Sequence, residues 1–582
     1  MRLPPLLILL FTLLASAQPP CGVVVSQERL ASEVGAQVLR EGGTAVDAAV
    51  ATAFALAVVH PAAGNLGGGG FLLSRPASGQ PTFLDFRETA PAGAHPRMWL
   101  KEGVYDEKLH HESLASVGVP GTVAGLRRAW QREGRLPWAR LLNPAIRLAR
   151  EGFVLSEHQA ASLGKQLPEF RRHGPTLAQF SRSGEPLRAG DRLVQRELAR
   201  TLLRLSRNWS DFYRGETARL ILRDMRASGG LITGADLRAY RPRWRDVLRG
   251  TYRGVEVLAA PPPSSGGQVL IQALNVLEGY DLRAAGSGSP QALHLAAEAL
   301  RRAFADRAQH LGDPAFNPGI PMARLLSKAY AAELRATIPL DRASVSAPDR
   351  FAWTRDRPDT THLSVLDRKG NAVSLTYTLE DSYGLKRIVP GAGFLLNNEL
   401  GDFNAGPGLT DAMGLIGTAP NLAQPGKRPL SSMCPVILVK EGAVFMVAGS
   451  PGGRTIPSTV LGTVLGVVDF DLDARAAVDA LRFHHQWLPD QLQVERGLPA
   501  AVKEALQAMG HALTFVKQQG CAQVILVRNG LVEGAADTKR WPDSGVAVAS
   551  AKAERQPQRP LITHRNALVA TNFKQAERSF NR

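Results

Sequence analysis

The stretch "AVDAAVATAFALAVV", Ala45 to Val59, constrains this chain's fold more than any other. Apart from Asp47 and Thr52 it is apolar, and it has helical length. A helix that is apolar on every side has no face to show to water, so it must be covered all round. It is also short of the roughly 20 residues that cross a bilayer. The chain must therefore build layers on both sides of it. Its surroundings fit that reading. "SQERLASEVGAQVLREGG" has helical apolar spacing that stops at Gly42-Gly43, where one helix ends and the next begins. A strand from Val23 precedes the pair. The glycine loop "GNLGGGGFLLSRP" follows it and leads into a strand that closes by Phe86.

Further along, Val119 to Ala336 alternates amphipathic helices with loops, interrupted by one strand-like segment, "YRGVEVLAAPPPSSGG". The character changes after about Pro358. Short alternating runs follow one another: "THLSVLD", "AVSLTYT", "PVILVK", "AVFMVAG", "AQVILVRNG" and "LVEGAAD". These read as strands with hairpin turns. The helices "STVLGTVLGVVDF" and "DARAAVDALRF" break the series. Helices first, strands last and a buried helix near the start predict an α/β layered sandwich. The 582 residues allow one large α/β core or roughly two to four domains. No tandem repeat is present.

The two ends of the chain differ from its middle. "MRLPPLLILLFTLLASAQPP" has a basic Arg2, an apolar run from Leu6 to Leu14 and the small residues Ala15 to Ala17. This predicts a secretory signal over 1–17, cut after about Ala17, and a periplasmic or secreted product. Cys21 follows Pro19-Pro20 and not a lipobox. No later run of about 18 apolar residues is found, so no membrane span is expected. Cys21, Cys434 and Cys521 are the only cysteines, which gives neither a disulfide framework nor a zinc pattern. Whether Cys434 and Cys521 pair stays open. The formal charge is +17, and the stretch 551–582 carries seven Lys/Arg against two Glu. That stretch lacks periodicity and reads as a basic tail. The remaining arginines are scattered over helices, and no nucleic-acid-binding module is found.

"RPDTTHLSVLDRKGNAVSLTYT", Arg357 to Thr378, reads as a hairpin. Arg368-Lys369-Gly370 fits a three-residue loop with Gly370 left-handed. With Asp367 facing Asn371, Thr360 falls directly across from Thr378. As a plain cross-strand pair, two threonines contribute about 0.2–1 kcal/mol. The same geometry has a chemical reading. A threonine hydroxyl is a poor nucleophile at neutral pH and needs a base. If the chain is cut before Thr360, the freed amine, with an ordinary pKa near 8, supplies that base. Thr378 then orients the nucleophile and stabilises its charge.

Eight motifs share an order: "GNLGGGGF", "LDFRETAP", "PPPSSGG", "DTTHLSVLD", "LNNELGDF", "KRPLSSM", "SPGGRTIPSTV" and "RFHHQWLPD". From about Gly22 to about Val546 the chain resembles the γ-glutamyltransferase (glutathione hydrolase) family of N-terminal-nucleophile hydrolases. The resemblance implies a four-layer αββα sandwich and a precursor that cuts itself between Asp359 and Thr360. A large subunit, 18–359, and a small-subunit core, 360–550, would result and stay together as a heterodimer. It also implies Thr360 as the nucleophile, assisted by Thr378, with Gly452 and Gly453 as the oxyanion hole. Arg87, Ser431 and Ser432 would hold the donor's α-carboxylate, and Glu399 and Asp402 its α-ammonium. Glu380 stands where the family commonly has Asn, so a third carboxylate near the ammonium is expected. The long segment between Asp402 and Ser431 resembles a lid, with Met413 at the tip position usually held by an aromatic residue. The expected donor is glutathione, and the acceptors are water, amino acids or peptides. No cofactor or metal is implied. His362, His484 and His485 lack metal-ligand spacing, and "GNLGGGG" lacks the Lys-Ser/Thr end of a phosphate loop.

Three other readings are compatible with the sequence. A glutaryl or cephalosporin acylase of the same superfamily need not recognise an ammonium, which the pair Glu399 and Asp402 argues against. A transpeptidase acting on poly-γ-glutamate is opposed by the long lid, which favours small donors. An uncut, non-catalytic binding protein would have no use for Thr360, Thr378, Gly452 and Gly453 together.

Overall fold

Alternate residues of the first strand enter two different cores. Val24 packs with the buried helix, while Val23 and Val25 pack with residues of a second sheet. This is the period of two expected of a strand covered on both faces. The computed structural model describes residues 21–346, 359–409 and 417–550. The expected leader, the basic tail and Met413 lie outside those residues.

Thirteen strands build two large sheets. In chain order they are β1 (Gly22–Ser26), β2 (Gly69–Arg75), β3 (Thr82–Asp85), β4 (Arg243–Arg245), β5 (Leu248–Tyr252), β6 (Val255–Ala259), β7 (Asp359–Leu366), β8 (Ala372–Glu380), β9 (Val436–Lys440), β10 (Ala443–Gly449), β11 (Gln523–Arg528), β12 (Leu531–Ala536) and β13 (Gly545–Ala549). The first sheet runs β4-β3-β2-β8-β7-β1-β13 and the second β5-β6-β9-β10-β11-β12. All their pairings are antiparallel. The sheets face each other where β7 and β8 meet β10. Helices α1 (Arg29–Arg40), α2 (Ala45–Val59) and α3 (Thr122–Glu133) cover the outer face of the first sheet. Helices α4 (Gly266–Leu277), α5 (Pro290–His310) and α6 (Ile456–Val468) lie on the outer side of the second. The order is helix, sheet, sheet, helix, in agreement with the layered α/β expectation.

The helix α2 is buried along its whole length. It starts with a capping box: Asp47 N–H donates to Thr44 Oγ1 (3.1 Å) and Thr44 N–H to Asp47 Oδ2 (2.9 Å). Asp47 also accepts from the amides of Arg135 and Leu136, so the helix's single charge is satisfied by backbone donors.

The sequence reading joined some strands and missed others. Two strands, β2 and β3, follow the glycine loop where one was expected, and β5 accompanies β6. The segments Phe483–His484, Leu492–Glu495 and Leu513–Val516 form a small third sheet that was not foreseen. Two to four residues are too short for a periodic pattern to emerge.

The first sheet draws β1 to β4 from before Thr360 and β7, β8 and β13 from after it. A cut at that point would leave two pieces interleaved in one sheet, held by its ladder of hydrogen bonds.

Candidate active site

The hairpin β7–β8 has the expected register. Thr360 faces Thr378, Leu366 faces Ala372, and Asp367 N–H donates to Asn371 O at 2.9 Å across a turn in which Gly370 has φ 82°. Thr360 Oγ1 and Thr378 Oγ1 are 3.5 Å apart and buried, at the outer limit of a hydrogen bond. The ladder slips between Asp359 and Thr360, because Asp359 pairs with Glu380 while Thr360 pairs with Thr378. Leu379 is the extra residue of this bulge, and Glu380 beyond it has φ 77°, a backbone region that side chains with a Cβ rarely adopt. Glu380 N–H donates to Thr378 Oγ1 at 2.9 Å. The peptide bond expected to be cut thus lies on a distorted strand end beside the hydroxyl pair.

The glycine loop explains how β8 is held there. A Cβ on Gly68 would lie 1.9 Å from the carbonyl oxygen of Thr378, and one on Gly70 2.4 Å from that of Thr376. Gly68 and Gly70 thus run against the backbone of β8, while Gly67 and Gly69 run against the carbonyls of Leu395 and Phe86.

One cavity is lined by Arg87, Thr360, Thr378, Glu380, Glu399, Asp402, Ser431, Ser432 and Gly453. Nine of the ten residues predicted for catalysis and donor binding therefore share a single pocket. Gly452 directly precedes Gly453, and both have positive φ, 131° and 54°. Glycine bears such angles at little cost. The carbonyl of Gly452 is fixed by Thr455 Oγ1 at 2.7 Å.

Arg87 is fully buried at the end of β3. Its guanidinium pairs with Glu399 and Asp402, and Glu88 lies 3.8 Å away. Burial works against the Arg87 charge, but Glu399, Asp402 and Glu88 together raise its pKa above the ordinary arginine value. The acids divide the opposite way. Burial, reinforced by Glu399, pushes Glu88 well above the carboxylate range. Burial, opposed by Arg87, pushes Glu399 up to about 7. These shifts favour a charged Arg87 and a protonated Glu88, and so work against three anions facing one cation.

The serine pair is set where two distant motifs meet. Ser265 N–H donates to Ser431 O at 2.7 Å, and Ser431 N–H to Pro263 O at 2.8 Å, tying "PPPSSGG" to "PLSSM". Arg307 on α5 donates to Ser265 Oγ (2.5 Å) and Ser432 Oγ (3.0 Å). The base of the long segment is stapled too: Asn421 Nδ2 donates to Asp402 O (2.6 Å) and Leu430 N–H to Asn421 Oδ1 (2.9 Å).

Sequence reasoning missed Glu88, His111, Arg307 and Asn397. Glu88 was within reach, as the immediate neighbour of Arg87 in "LDFRETAP". Nothing local marks the others. His111 Nδ1 lies 3.2 Å from Glu380 Oε1 from a position 269 residues earlier. Asn397 accepts from Gly118 N–H and Glu399 N–H and donates to the Gly67 and Gly118 carbonyls.

His362, His484 and His485 have structural partners. His362 contacts Thr376 Oγ1 (2.7 Å) and Ser364 Oγ (3.1 Å), and burial lowers its pKa to about 3. His484 contacts Ser458 and Gln486, and His485 contacts Asp490. Cys434 and Cys521 are both buried free thiols, which settles the question of their pairing.

Two stacked antiparallel sheets between helices are the layered architecture of the N-terminal-nucleophile hydrolases. The comparisons narrow this class. The gamma-glutamyltranspeptidase family model matches residues 31–547. The glutathione hydrolase proenzyme of Escherichia coli is 44% identical over 529 residues, covering 90% of this chain and 91% of that protein. The acylase ACY 1 proenzyme of a Pseudomonas strain is 37% identical over 544 residues, 91% and 93% of the two chains. The crystal structure of a cephalosporin acylase from Bacillus halodurans superposes with a TM-score of 0.80 at 27% identity, covering 91% of this chain and 96% of that one. This chain belongs to the gamma-glutamyltranspeptidase family.

Proposed function

We propose that this protein is a self-cleaving zymogen that cleaves γ-glutamyl amides through an ester on Thr360. The observation that carries the reading is the single pocket joining the Thr360–Thr378 hydroxyl pair to Arg87, Glu399 and Asp402. Maturation begins when Thr360 Oγ attacks the Asp359 carbonyl carbon. The peptide C–N bond breaks as the C–O ester forms, and water then hydrolyses the ester. Asp359 leaves as a carboxylate, and Thr360 gains a free amine beside its own hydroxyl.

In turnover that amine takes the Thr360 hydroxyl proton while Oγ attacks the donor's γ-carbonyl carbon. The N–H groups of Gly452 and Gly453 receive the developing oxyanion; one such donor is typically worth about 3–4 kcal/mol of barrier. The departing amine takes the proton from the Thr360 ammonium. Water or an acceptor amine then attacks the γ-glutamyl ester and restores the hydroxyl.

The charge cluster accounts for donor choice. An α-carboxylate takes over the guanidinium of Arg87, with Ser431 and Ser432 beside it, and an α-ammonium takes over Glu399 and Asp402. The exchange changes no net charge, so buried Glu399 and partly buried Asp402 are not left without a cation. Glu380 adds a third acid on the ammonium side. Glutathione fits this pattern as donor, with water, amino acids or peptides as acceptors.

A second reading, a glutaryl or cephalosporin acylase, is favoured by the ACY 1 relative and by the fold match to a cephalosporin acylase. A glutaryl donor brings the carboxylate but no ammonium. It would draw Arg87 away from Glu399 and Asp402 with nothing in exchange, so the γ-glutamyl reading is preferred.

The 1–17 leader would direct the chain to the periplasm or outside the cell, and 18–359 and 360–550 would be the two subunit bodies. N-terminal sequencing of purified protein and assay with a chromogenic γ-glutamyl anilide test the proposal together. The expected result is two fragments, the smaller starting at Thr360, and release of the anilide. A single uncut band with no release would favour a binding protein.

A further inference from the structure

A second cavity, of about 490 Å³, opens between α3, the segment 209–214 and the segment 238–242. Five arginines line it, namely Arg127, Arg128, Arg214, Arg238 and Arg241, and no acidic residue does. None of the five pairs with a carboxylate among the described residues, whereas the buried Arg87 and Arg428 do. Arg128, Arg214, Arg238 and Arg241 are exposed, and Arg127 is half-buried. Like charges gathered without a counter-ion raise the local positive potential and draw anions.

Two features distinguish this cavity from a solvated basic patch. First, Arg127 is held in place and partly dry. Its guanidinium lies 4.2 Å from the ring centre of Trp130 and 5.2 Å from that of Trp138. Its buried Nε has no hydrogen-bond partner among the described residues. Burial lowers its pKa, with no anion nearby to offset the loss of water. A desolvated donor without an acceptor is costly, and an anion in the cavity would relieve it. Second, the floor is rigid. The rings of Tyr213 and Tyr240 stack at 5.9 Å and 6°, Tyr240 Oη donates to Arg87 O (2.9 Å), and Tyr213 Oη to Pro120 O (3.0 Å). Trp209 adds an apolar wall.

We infer that this cavity is a binding site for a phosphate-bearing polyanion, separate from the γ-glutamyl pocket. Guanidinium forks match phosphate oxygens two at a time, and five cations suit a ligand with several negative charges. The ligand could be a soluble polyphosphate ester or the phosphate of a lipid headgroup, since the arginines meet the same chemistry in both.

The test uses the purified full-length protein after maturation. Tripolyphosphate is titrated by calorimetry, and vesicles containing phosphatidylglycerol are tested by co-sedimentation. The reference is Arg214→Glu/Arg238→Glu, which changes two exposed side chains outside the donor pocket. The control is Arg200→Glu/Arg207→Glu, an equal charge change on another helix. Saturable tripolyphosphate binding, weakened about tenfold or more in the first variant and preserved in the control, is the expected result. Vesicle binding with the same pattern would identify the lipid source, and its absence the soluble one. No saturable binding of either probe, or equal weakening in both variants, would overturn the inference.

Discussion

Replacing Asp402 with Asn separates recognition of the donor's ammonium from everything else the pocket does. Asp402 pairs with Arg87, but its side chain is 23% exposed, so the change costs less folding stability than the same change at fully buried Glu399. A hydrogen bond to a charged group contributes about 1.5–3 kcal/mol. At about 1.4 kcal/mol per factor of ten, Asp402→Asn should lower kcat/KM for a γ-glutamyl anilide roughly 10- to 100-fold. A glutaryl anilide keeps the distal carboxylate and lacks the ammonium, so its weaker turnover should not fall, and should rise to the extent that Asp402 no longer loses Arg87 to the donor. Assaying both donors on one preparation cancels errors in active-site concentration and any effect through Arg87. If both donors lose activity by the same factor, Asp402 does not read the ammonium, and the reasoning that ranks γ-glutamyl donors above glutaryl ones fails.

Two further outcomes follow from the cluster and the loop. Glu399, pushed up to about 7, is protonated in acid; its contribution to stability is present below its ordinary value near 4.5 and is lost as pH rises through about 7. Glu399→Gln should remove that part of the slope in thermal melts. In the native protein the donor KM should also fall as pH rises through about 7, because the ammonium needs the ionised acid, and the variant should lack this limb. Gly68→Ala forces a Cβ to within 1.9 Å of Thr378 O, so it should displace β8 and abolish the two-band maturation pattern on a denaturing gel.

The hairpin was legible because everything that sets its register is local. Asp367, Gly370 and Asn371 fix the turn, and the count along each strand then places Thr360 opposite Thr378. The buried helix was legible for a similar reason, since a run with almost no polar residue admits few environments. The site as a whole was not legible from spacing. Arg87 lies more than 300 residues from Glu399 and Ser431, and only the resemblance to a family joined them. Local patterns carry no information about which charges meet, so Glu88, buried against Glu399, and His111, reaching Glu380 from a separate helix, went unseen. The bulge at Asp359–Thr360 was missed because an extra residue in a strand leaves the alternation on either side intact. The arginine-lined cavity has the same origin. Arg127, Arg214 and Arg238 read one by one as solvated helix faces, and only folding shows that three segments bring them together.

Everything proposed for turnover requires the donor's acyl group to rest on the oxygen of Thr360. Rapid acid quenching during turnover, digestion and mass spectrometry would locate it. One γ-glutamyl group is expected on the peptide that begins at Thr360, and no such adduct, cut or turnover in Thr360→Ala. An adduct on another residue, or normal maturation and turnover in that variant, would contradict it.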